Sequence, residues 1–332
     1  MTVAPRASIV IRALNEGKYL GPLFEALKRQ SDQSFEVILV DSGSSDRSVA
    51  IAEEHGVRIE HIRPENFTFG RSLNYGCRVA RGEFLVLLSA HTLPMHEDWL
   101  AELLHPFEDE RVKVSYGMQR GGKENKFSEC CMMQSWFPET DIPSQTDYFC
   151  NNANCAIRRA DWERRPYDES LTGLEDLAWA KEAVQEGGLV AYSAKGGIYH
   201  IHQETWDRVR KRYYREALAF QNIEPDAYFR LSDLLRYSSL NILNDLKCAL
   251  SRGALRSMPE IFLFRINQAR GIYRACAERK VRGSRGTETA STQHLKDRFY
   301  HPSPNYGFRD CIPRKGPAAA RLERNPAIRR RA

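Results

Sequence analysis

Several groups of side chains in this sequence could do chemistry. Glu175 and Asp176 are adjacent, follow Gly173-Leu174, and open a helical pattern that continues through Leu177, Ala178, Ala180 and Val184. Acids in a first helical turn are favourable partners of the helix dipole. Two neighbours nevertheless point in different directions, so one can hold structure while the other faces a cleft. His200 and His202 stand two residues apart in Ile198-Tyr199-His200-Ile201-His202, on the same side of an extended segment. His91 ends Leu88-Ser89-Ala90-His91, either as a strand-end histidine with a satisfied hydrogen bond or as a ligand. Asp41 opens Asp41-Ser42-Gly43-Ser44-Ser45-Asp46. A carboxylate there can accept the N–H groups of a base, and the amides after it can face an anion. The same turn also reads as structure, with Ser45 or Asp46 capping the next helix and Gly43 permitting a tight turn. Asp46 is the cap in this reading, and Asp41 the ligand.

These residues need elements to position them. Residues 83–94 begin as a continuous apolar run of strand length and end in small and polar residues that Pro94 stops from continuing. Such a run reads as a buried central strand. Ligands of open α/β sheets sit at the carboxyl ends of strands, which places Ser89, Ala90 and His91 at the rim of a site. Short strands at 7–12, 35–40 and 57–62 alternate with helical patterns after Asn15-Glu16-Gly17, after Asp46 and at 70–81. That alternation implies right-handed crossovers and a largely parallel sheet, so the fold class is α/β with a nucleotide-binding first half. No Gly-x-Gly-x-x-Gly follows the first strand and there is no Gly-x-x-x-x-Gly-Lys-Ser/Thr, which argues against dinucleotide and P-loop sites.

Further along, a strand at 112–117 and a helix at 127–136 precede a loop at 138–147, rich in turn formers and acids. Its length suits a lid or an acceptor-binding segment. The strand-like run 148–159 contains Asn151, Asn152 and Asn154. Buried amides require partners, so these asparagines either satisfy backbone groups at a bulge or present donors and acceptors to a sugar. One more strand at 190–193 leads to the histidines.

The 332 residues are 42% apolar and 28% charged, a soluble globular balance with enough chain for a sizeable core. No apolar run approaches the roughly eighteen residues of a membrane span, and the start lacks a signal-peptide pattern, so the expectation is cytoplasmic. Eight cysteines in a reducing compartment read as thiols, and no Cys-x-x-Cys supports structural zinc. The net charge of +6 is concentrated from Arg208 onward. Charge alone fits nucleic acid or an anionic membrane surface. A nucleic-acid role leaves Asp41, Asp176 and the α/β half without a purpose, and is set aside.

Taken in order, the motifs resemble the family 2 glycosyltransferases of GT-A fold. They are most similar to the rhamnosyltransferase-like branch that builds bacterial surface polysaccharides. The resemblance spans residues 8–220. It rests on Asn15-Glu16, on Val40 with residues 41–46, and on Phe67-Thr68-Phe69-Gly70-Arg71-Ser72-Leu73-Asn74-Tyr75-Gly76. It rests equally on Leu88-Ser89-Ala90-His91 with Pro94 and Trp99, on Gly173-Leu174-Glu175-Asp176, and on His200 and His202. What it implies is sugar transfer, with inversion, from a nucleotide diphosphate sugar to a saccharide or lipid-linked acceptor. The donor is expected among dTDP-rhamnose and the UDP- and GDP-hexoses.

The resemblance assigns Asp176 as general base, and a carboxylate within reach of the acceptor hydroxyl meets that requirement. Glu175 orients the loop or binds acceptor. Asn15, Glu16, Asp41, Ser42, Arg71, Asn74, Ser89, Ala90 and His91 fall on the nucleotide-sugar side, and Asn151 and Asn154 on the acceptor side. Relatives carry Asp-x-Asp where this chain has Ser89-Ala90-His91, and that motif binds a divalent cation. A neutral hydroxyl compensates little charge, and imidazole suits Mn²⁺ better than Mg²⁺. Either such a cation is held by His91, His202 and the diphosphate, or Arg71, other basic side chains and backbone N–H groups stabilise the leaving group. The cation is the favoured arrangement. A competing reading is a non-catalytic nucleotide-sugar or polysaccharide-binding protein, suggested by the replaced motif and opposed by Glu175-Asp176.

The domain expectation is a GT-A domain over 1–222, a helical subdomain over 223–282 and a loosely ordered basic tail over 283–332. Trp206, Val209, Tyr213, Ala217 and Phe220 share one helical face edged by Arg208, Arg210, Lys211, Arg212 and Arg215. Amphipathic stretches follow at 231–250 and 261–279. They pack as a helical core or lie in an anionic membrane interface, which would suit a lipid-linked acceptor at the inner face of the cytoplasmic membrane. The tail is too poor in apolar residues to fold alone.

Overall fold

The computed structural model describes residues 4–145, 147–225 and 231–281; the basic tail at 283–332 lies outside them. The first half alternates β1 (Ala7–Ala13), α1 (Gly17–Lys28), β2 (Phe35–Asp41), α2 (Ser48–Glu54), β3 (Arg58–His61), α3 (Phe69–Val79) and β4 (Phe84–Ser89). These strands pair in parallel, with β1 between β2 and β4 and β3 outside β2. Their near-continuous apolar runs are explained by burial on both faces. In β4, Leu85 and Leu87 enter one hydrophobic cluster while Phe84, Val86 and Leu88 enter the other.

The second half contributes β5 (Thr92–Pro94), α4 (Trp99–Leu104), β6 (Val112–Gly121), α5 (Phe127–Trp136), β7 (Asn154–Arg158), α6 (Arg159–Arg164), α7 (Glu175–Gln185) and β8 (Leu189–His200). Three helices close the described chain: α8 (Trp206–Ile223), α9 (Leu231–Ser251) and α10 (Met258–Val281). The sheet order is β3-β2-β1-β4-β7-β6-β8-β5. Strand β7 is antiparallel to β4 and β6, β8 is parallel to β6, and β5 is antiparallel to β8. The sheet is therefore mixed and mainly parallel, as expected for the α/β class.

Three expectations are corrected. Residues 83–94 are two strands: the chain turns after Ser89, and Thr92–Pro94 crosses to pair with Ile198–His200 at the far edge. Thr92 closes that turn by donating its hydroxyl to Ser89 O at 2.7 Å. Pro94, with no N–H to offer, occupies an edge strand, where the missing donor is tolerated. The run 148–159 is a strand only from Asn154 onward. The loop at 138–147 is stitched to β8 and is not a free lid. Ile142 and Tyr192 exchange backbone hydrogen bonds at 2.9 and 2.8 Å, Gln145 N donates to Val190 O at 3.0 Å, and Asp141 accepts from Ala194 N at 2.7 Å.

The expected extended pieces at 190–193 and 198–202 belong to one strand, β8, with a register shift against β6. At that shift Gly117 lies so close to Gly196 O that a Cβ would sit 1.9 Å away. The helical region at 223–282 is present and continues the core. Leu234, Tyr237, Phe264, Ile272 and Ala275 join the cluster that holds Val209, Tyr213 and Phe220 of α8. A buried Arg265–Asp245 ion pair, at 2.8 and 3.0 Å, joins α10 to α9. Among the described residues no helix is long and apolar enough to cross a membrane.

Candidate active site

Helix α7 starts from Leu174, a non-glycine residue in the left-handed region at φ 57°. Such a conformation costs roughly 1–2 kcal/mol and is typical of functional sites. It aims the first turn so that Glu175 and Asp176 diverge, as their adjacency implied. Asp176 accepts the backbone N–H groups of Asn152 (2.8 Å) and Leu177 (2.9 Å). Burial, followed by the charge of Glu175, pushes the Asp176 carboxyl up to about 7. Glu175 instead faces Asn152 Nδ2 at 3.3 Å and Arg12 at 3.4 Å. Arg12 and Arg215 both lie over the Phe69 ring, at 4.9 and 4.4 Å. Arg12 and Arg215 were not anticipated as site residues, and Asn152 only as one of three asparagines that either satisfy backbone groups or meet a sugar. Arg12 could have been, since it stands at the carboxyl end of β1.

The rim on the nucleotide side is built by the loops after β1 and β2. Asp41 is buried and accepts from Gly43 N at 3.0 Å and Ser44 N at 3.2 Å, while Ser42 Oγ donates to Ala13 O at 2.9 Å. Asn15 takes φ 59°, which asparagine tolerates, and its Oδ1 accepts from Ser45 N at 2.8 Å. The N-cap of α2 is Arg47 and not Asp46, the residue before it; the Asp46 carboxylate accepts from Ser48 N at 2.9 Å and from Gly17 N at 2.9 Å. Ser89 and Ala90 lie at the end of β4, with Ala90 buried.

Four expected ligands are engaged elsewhere. Arg71 pairs with Glu169 at 2.8 Å and donates to Asn66 O at 2.9 Å. Asn74 accepts from Trp162 Nε1 (2.9 Å) and Tyr167 N (3.0 Å) and donates to Tyr167 O (2.9 Å) and Glu169 (3.0 Å). Asn154 is fully buried, accepting from Trp99 Nε1 (3.0 Å) and donating to Gly196 O (2.7 Å) and Met118 O (3.3 Å). Asn151 Oδ1 accepts from Ala153 N at 2.9 Å. The amide of Asn74 thus makes two bonds as acceptor and two as donor within the protein, and that of Asn154, fully buried, makes one as acceptor and two as donor. Asn151 and Asn154 satisfy the bend before β7 and an indole behind it.

The histidines converge. Pairing of β5 with β8 sets Thr92 opposite His200, and Ile201 N donates to His91 O at 2.9 Å. The rings of His91 and His200 stack at 5.1 Å, and those of His200 and His202 meet at 4.1 Å. One ligand atom from each of the three lies within 4.8 Å of the others. Each Nδ1 has an oxygen partner: Glu16 for His91 (3.0 Å), Gln119 for His200 (2.8 Å) and Glu129 for His202 (2.7 Å). A carboxylate opposite Nδ1 requires the proton there, which frees Nε2 as a lone-pair donor. His200 Nε2 and His202 Nε2 are 2.9 Å apart, close enough for an N–H···N hydrogen bond between neutral imidazoles or for both to ligate one metal ion.

Burial, then the charges of His202 and His91, hold the His200 imidazole well below its ordinary pKa, in the neutral form a ligand needs. A second group, Glu129, His202 and Glu204, meets the same distance criterion. Arg212 already fills it, at 2.6 Å from Glu129 and 2.7 Å from Glu204. Burial opposes the charged form of Glu129, but His202 and Arg212 outweigh it and bring that carboxyl to about 2. The three imidazoles therefore fit a divalent cation better than the mixed group does. His91 and His202 were anticipated as ligands. His200 was legible only as a residue on the same side as His202.

A parallel α/β half with its rim loops at strand ends and an antiparallel strand inserted into the sheet make the GT-A fold, with a buried carboxylate pair opening a helix at its rim. Residues 8–164 match the family model described as Glycosyl transferase family 2, and the chain is similar to O-antigen chain rhamnosyltransferases. It is 26% identical over 222 residues to the O-antigen chain rhamnosyltransferase WbaN of Salmonella anatum, covering 63% of this chain and 70% of the relative. It is 23% identical over 221 residues to the O-antigen chain rhamnosyltransferase RfbN of Salmonella typhimurium, with the same coverage, 63% and 70%. The solved mannosyltransferase PcManGT from Pyrobaculum calidifontis, in complex with GDP-Man and Mn²⁺, superposes with a TM-score of 0.55 at 15% identity, covering 82% of this chain and 88% of that one. The family resemblance and the GT-A fold expected from the motifs are both borne out.

Proposed function

We propose that the protein transfers a sugar, with inversion, from a nucleotide diphosphate sugar to a hydroxyl of a saccharide or lipid-linked acceptor in bacterial surface polysaccharide synthesis. The observation that carries this reading is Asp176, a buried carboxylate whose pKa is brought to about 7 at the start of α7. A base poised near the working pH takes the acceptor proton as the new glycosidic bond forms. The N–H groups of Asn152 and Leu177 keep the carboxylate oriented through that step. Glu175, paired with Arg12 at 3.4 Å, raises the Asp176 pKa through its charge. Asp41, with Asn15 and Ser42 around it, receives the base of the nucleotide.

His91 and His202 would hold a divalent cation, which would supply positive charge to the leaving diphosphate. Their imidazoles suit Mn²⁺ more than Mg²⁺. With Arg71 paired to Glu169, the remaining arginines near the carboxylates are Arg12 and Arg215. The relatives are named rhamnosyltransferases, which favours rhamnose as the sugar, with dTDP-rhamnose as the expected donor. The test is nucleoside diphosphate release from dTDP-rhamnose and from UDP- and GDP-hexoses, with Mn²⁺, Mg²⁺ or EDTA. One donor should be selected and its turnover should stop on chelation. Failure to bind any donor overturns the reading.

The acceptor side extends the proposal to a membrane surface. On α9, Leu231, Leu235, Leu243 and Leu250 are exposed, and on α10 so are Phe262 and Ile266. Exposed Arg236, Lys247, Arg256 and Arg270 lie among them. An apolar face edged by cations fits the interface of an anionic bilayer. The protein should co-sediment with vesicles containing phosphatidylglycerol, less so at high salt, and Leu235→Glu with Leu243→Glu should release it. No preference for anionic over neutral vesicles overturns this part.

A further inference from the structure

We infer that this chain holds its cation as a resident tri-histidine centre, with His200 as the third protein ligand, loaded before any nucleotide arrives. The inference rests on the cation site proposed above and deepens it. Mg²⁺ sites built from one or two carboxylates are usually completed by substrate phosphates, so the ion arrives with the nucleotide. Three imidazoles form a different kind of site. His₃ sets hold a transition ion on protein ligands alone and keep a position open.

The preorganisation is visible on the page. His91 comes from the turn between β4 and β5, and His200 and His202 from the end of β8. The Ile201–His91 backbone bond at 2.9 Å fixes those segments together. All three Nδ1 atoms are anchored, to Glu16, Gln119 and Glu129, so the rings are oriented before an ion binds. Such outer partners set the tautomer and raise the basicity of ligating histidines. The 2.9 Å approach of His200 Nε2 to His202 Nε2 puts both atoms within reach of one ion, in place of the N–H···N hydrogen bond that joins them without it.

Two chemical consequences follow. Imidazole donors select Mn²⁺, Co²⁺, Ni²⁺ or Zn²⁺ over Mg²⁺, which demands oxygen ligands and holds its waters. All three direct ligands are neutral, so the bound ion keeps its double charge for an anionic partner at the open position. Direct carboxylate ligands would cancel that charge. Here Glu16 and Glu129 stand one atom layer further out and balance it at a distance.

The test uses the full chain, stripped with chelator and dialysed, without nucleotide, and Co²⁺ as the probe. Visible ligand-field absorption and metal content after a second dialysis are both read. The expected result is one Co²⁺ retained per chain, undisturbed by excess Mg²⁺. His200→Gln and His200→Ala should weaken retention at least tenfold and alter the absorption, while His105→Ala, on the exposed far surface, should match wild type. Circular dichroism identifies any variant that has not folded, and retention by the wild type needs no variant at all. Co²⁺ that binds only after a nucleoside diphosphate is added, or binds equally well to folded His200→Gln, overturns the inference. Donor binding and transfer, measured separately, fail only if the transferase reading itself is wrong.

Discussion

Asp176→Asn is expected to lower kcat by roughly 10²–10⁴-fold with donor binding unchanged, the range that positioned general bases contribute. The substitution preserves shape and leaves an oxygen for the Asn152 N–H, so the loss reports proton transfer and not collapse of the loop. Wild-type kcat/KM should rise about tenfold per pH unit on the acid side and level off above about 7, where Asp176 is ionised. The accompanying change in stability has a fixed sign. The folded carboxyl, at about 7, holds its proton more tightly than the unfolded one at 3.8. Native protein therefore binds more protons than unfolded protein between those values, and stability falls as pH rises through that window. Asp176→Asn should flatten this fall and raise Tm at pH 8 while lowering kcat as above. A variant that is both inactive and less stable at pH 8, or a wild-type profile flat from pH 5 to 9, removes Asp176 as the base.

The framework around Asp176 was legible because its signals are local. Apolar strands ending in Asp41 and Ser89, with helices between them, announce a parallel sheet and put those ends at one rim. The divergence of Glu175 and Asp176 follows from adjacency on a helix. What could not be read was which distant group each polar side chain meets. Asn154 looked like a sugar ligand because its partners, Trp99, Met118 and Gly196, are brought to it only by the tertiary fold. Arg71 looked free to bind phosphate because Glu169, its partner, is contributed by a loop far along the chain. The same limit applied to the histidines. Period-two spacing puts His200 and His202 on one side, but their meeting with His91 depends on a three-residue strand, Thr92–Pro94, too short to recognise in the sequence. Pro94 marked a stop correctly and still concealed that second strand.

Glu129→Gln is expected to weaken cation binding at the histidine cluster by about 10–100-fold, the usual effect of removing an outer-shell carboxylate. Glu129 is buried and accepts from His202 Nδ1 at 2.7 Å and from Arg212 at 2.6 Å, so one carboxylate orients a metal ligand and neutralises a guanidinium. Both bonds fall on Oε1, so an amide oxygen there can accept them, but it carries no charge and its N–H group faces Asn125 Nδ2, which donates to Oε2 at 3.3 Å. Breaking a buried ion pair on one side costs about 3–5 kcal/mol. The cost here should fall at the low end, because Glu204 still pairs with Arg212 at 2.7 Å. Glu204→Gln separates the two effects. Glu204 also meets Arg212, and its carboxylate is not the Nδ1 partner of any histidine in the triad. It should lower Tm with little change in Co²⁺ retention, whereas Glu129→Gln should lower both. Equal loss of Co²⁺ in the two variants would mean that Arg212, not the Glu129–His202 bond, organises the centre. No loss in Glu129→Gln would mean that the orientation of His202 is set by the strand alone.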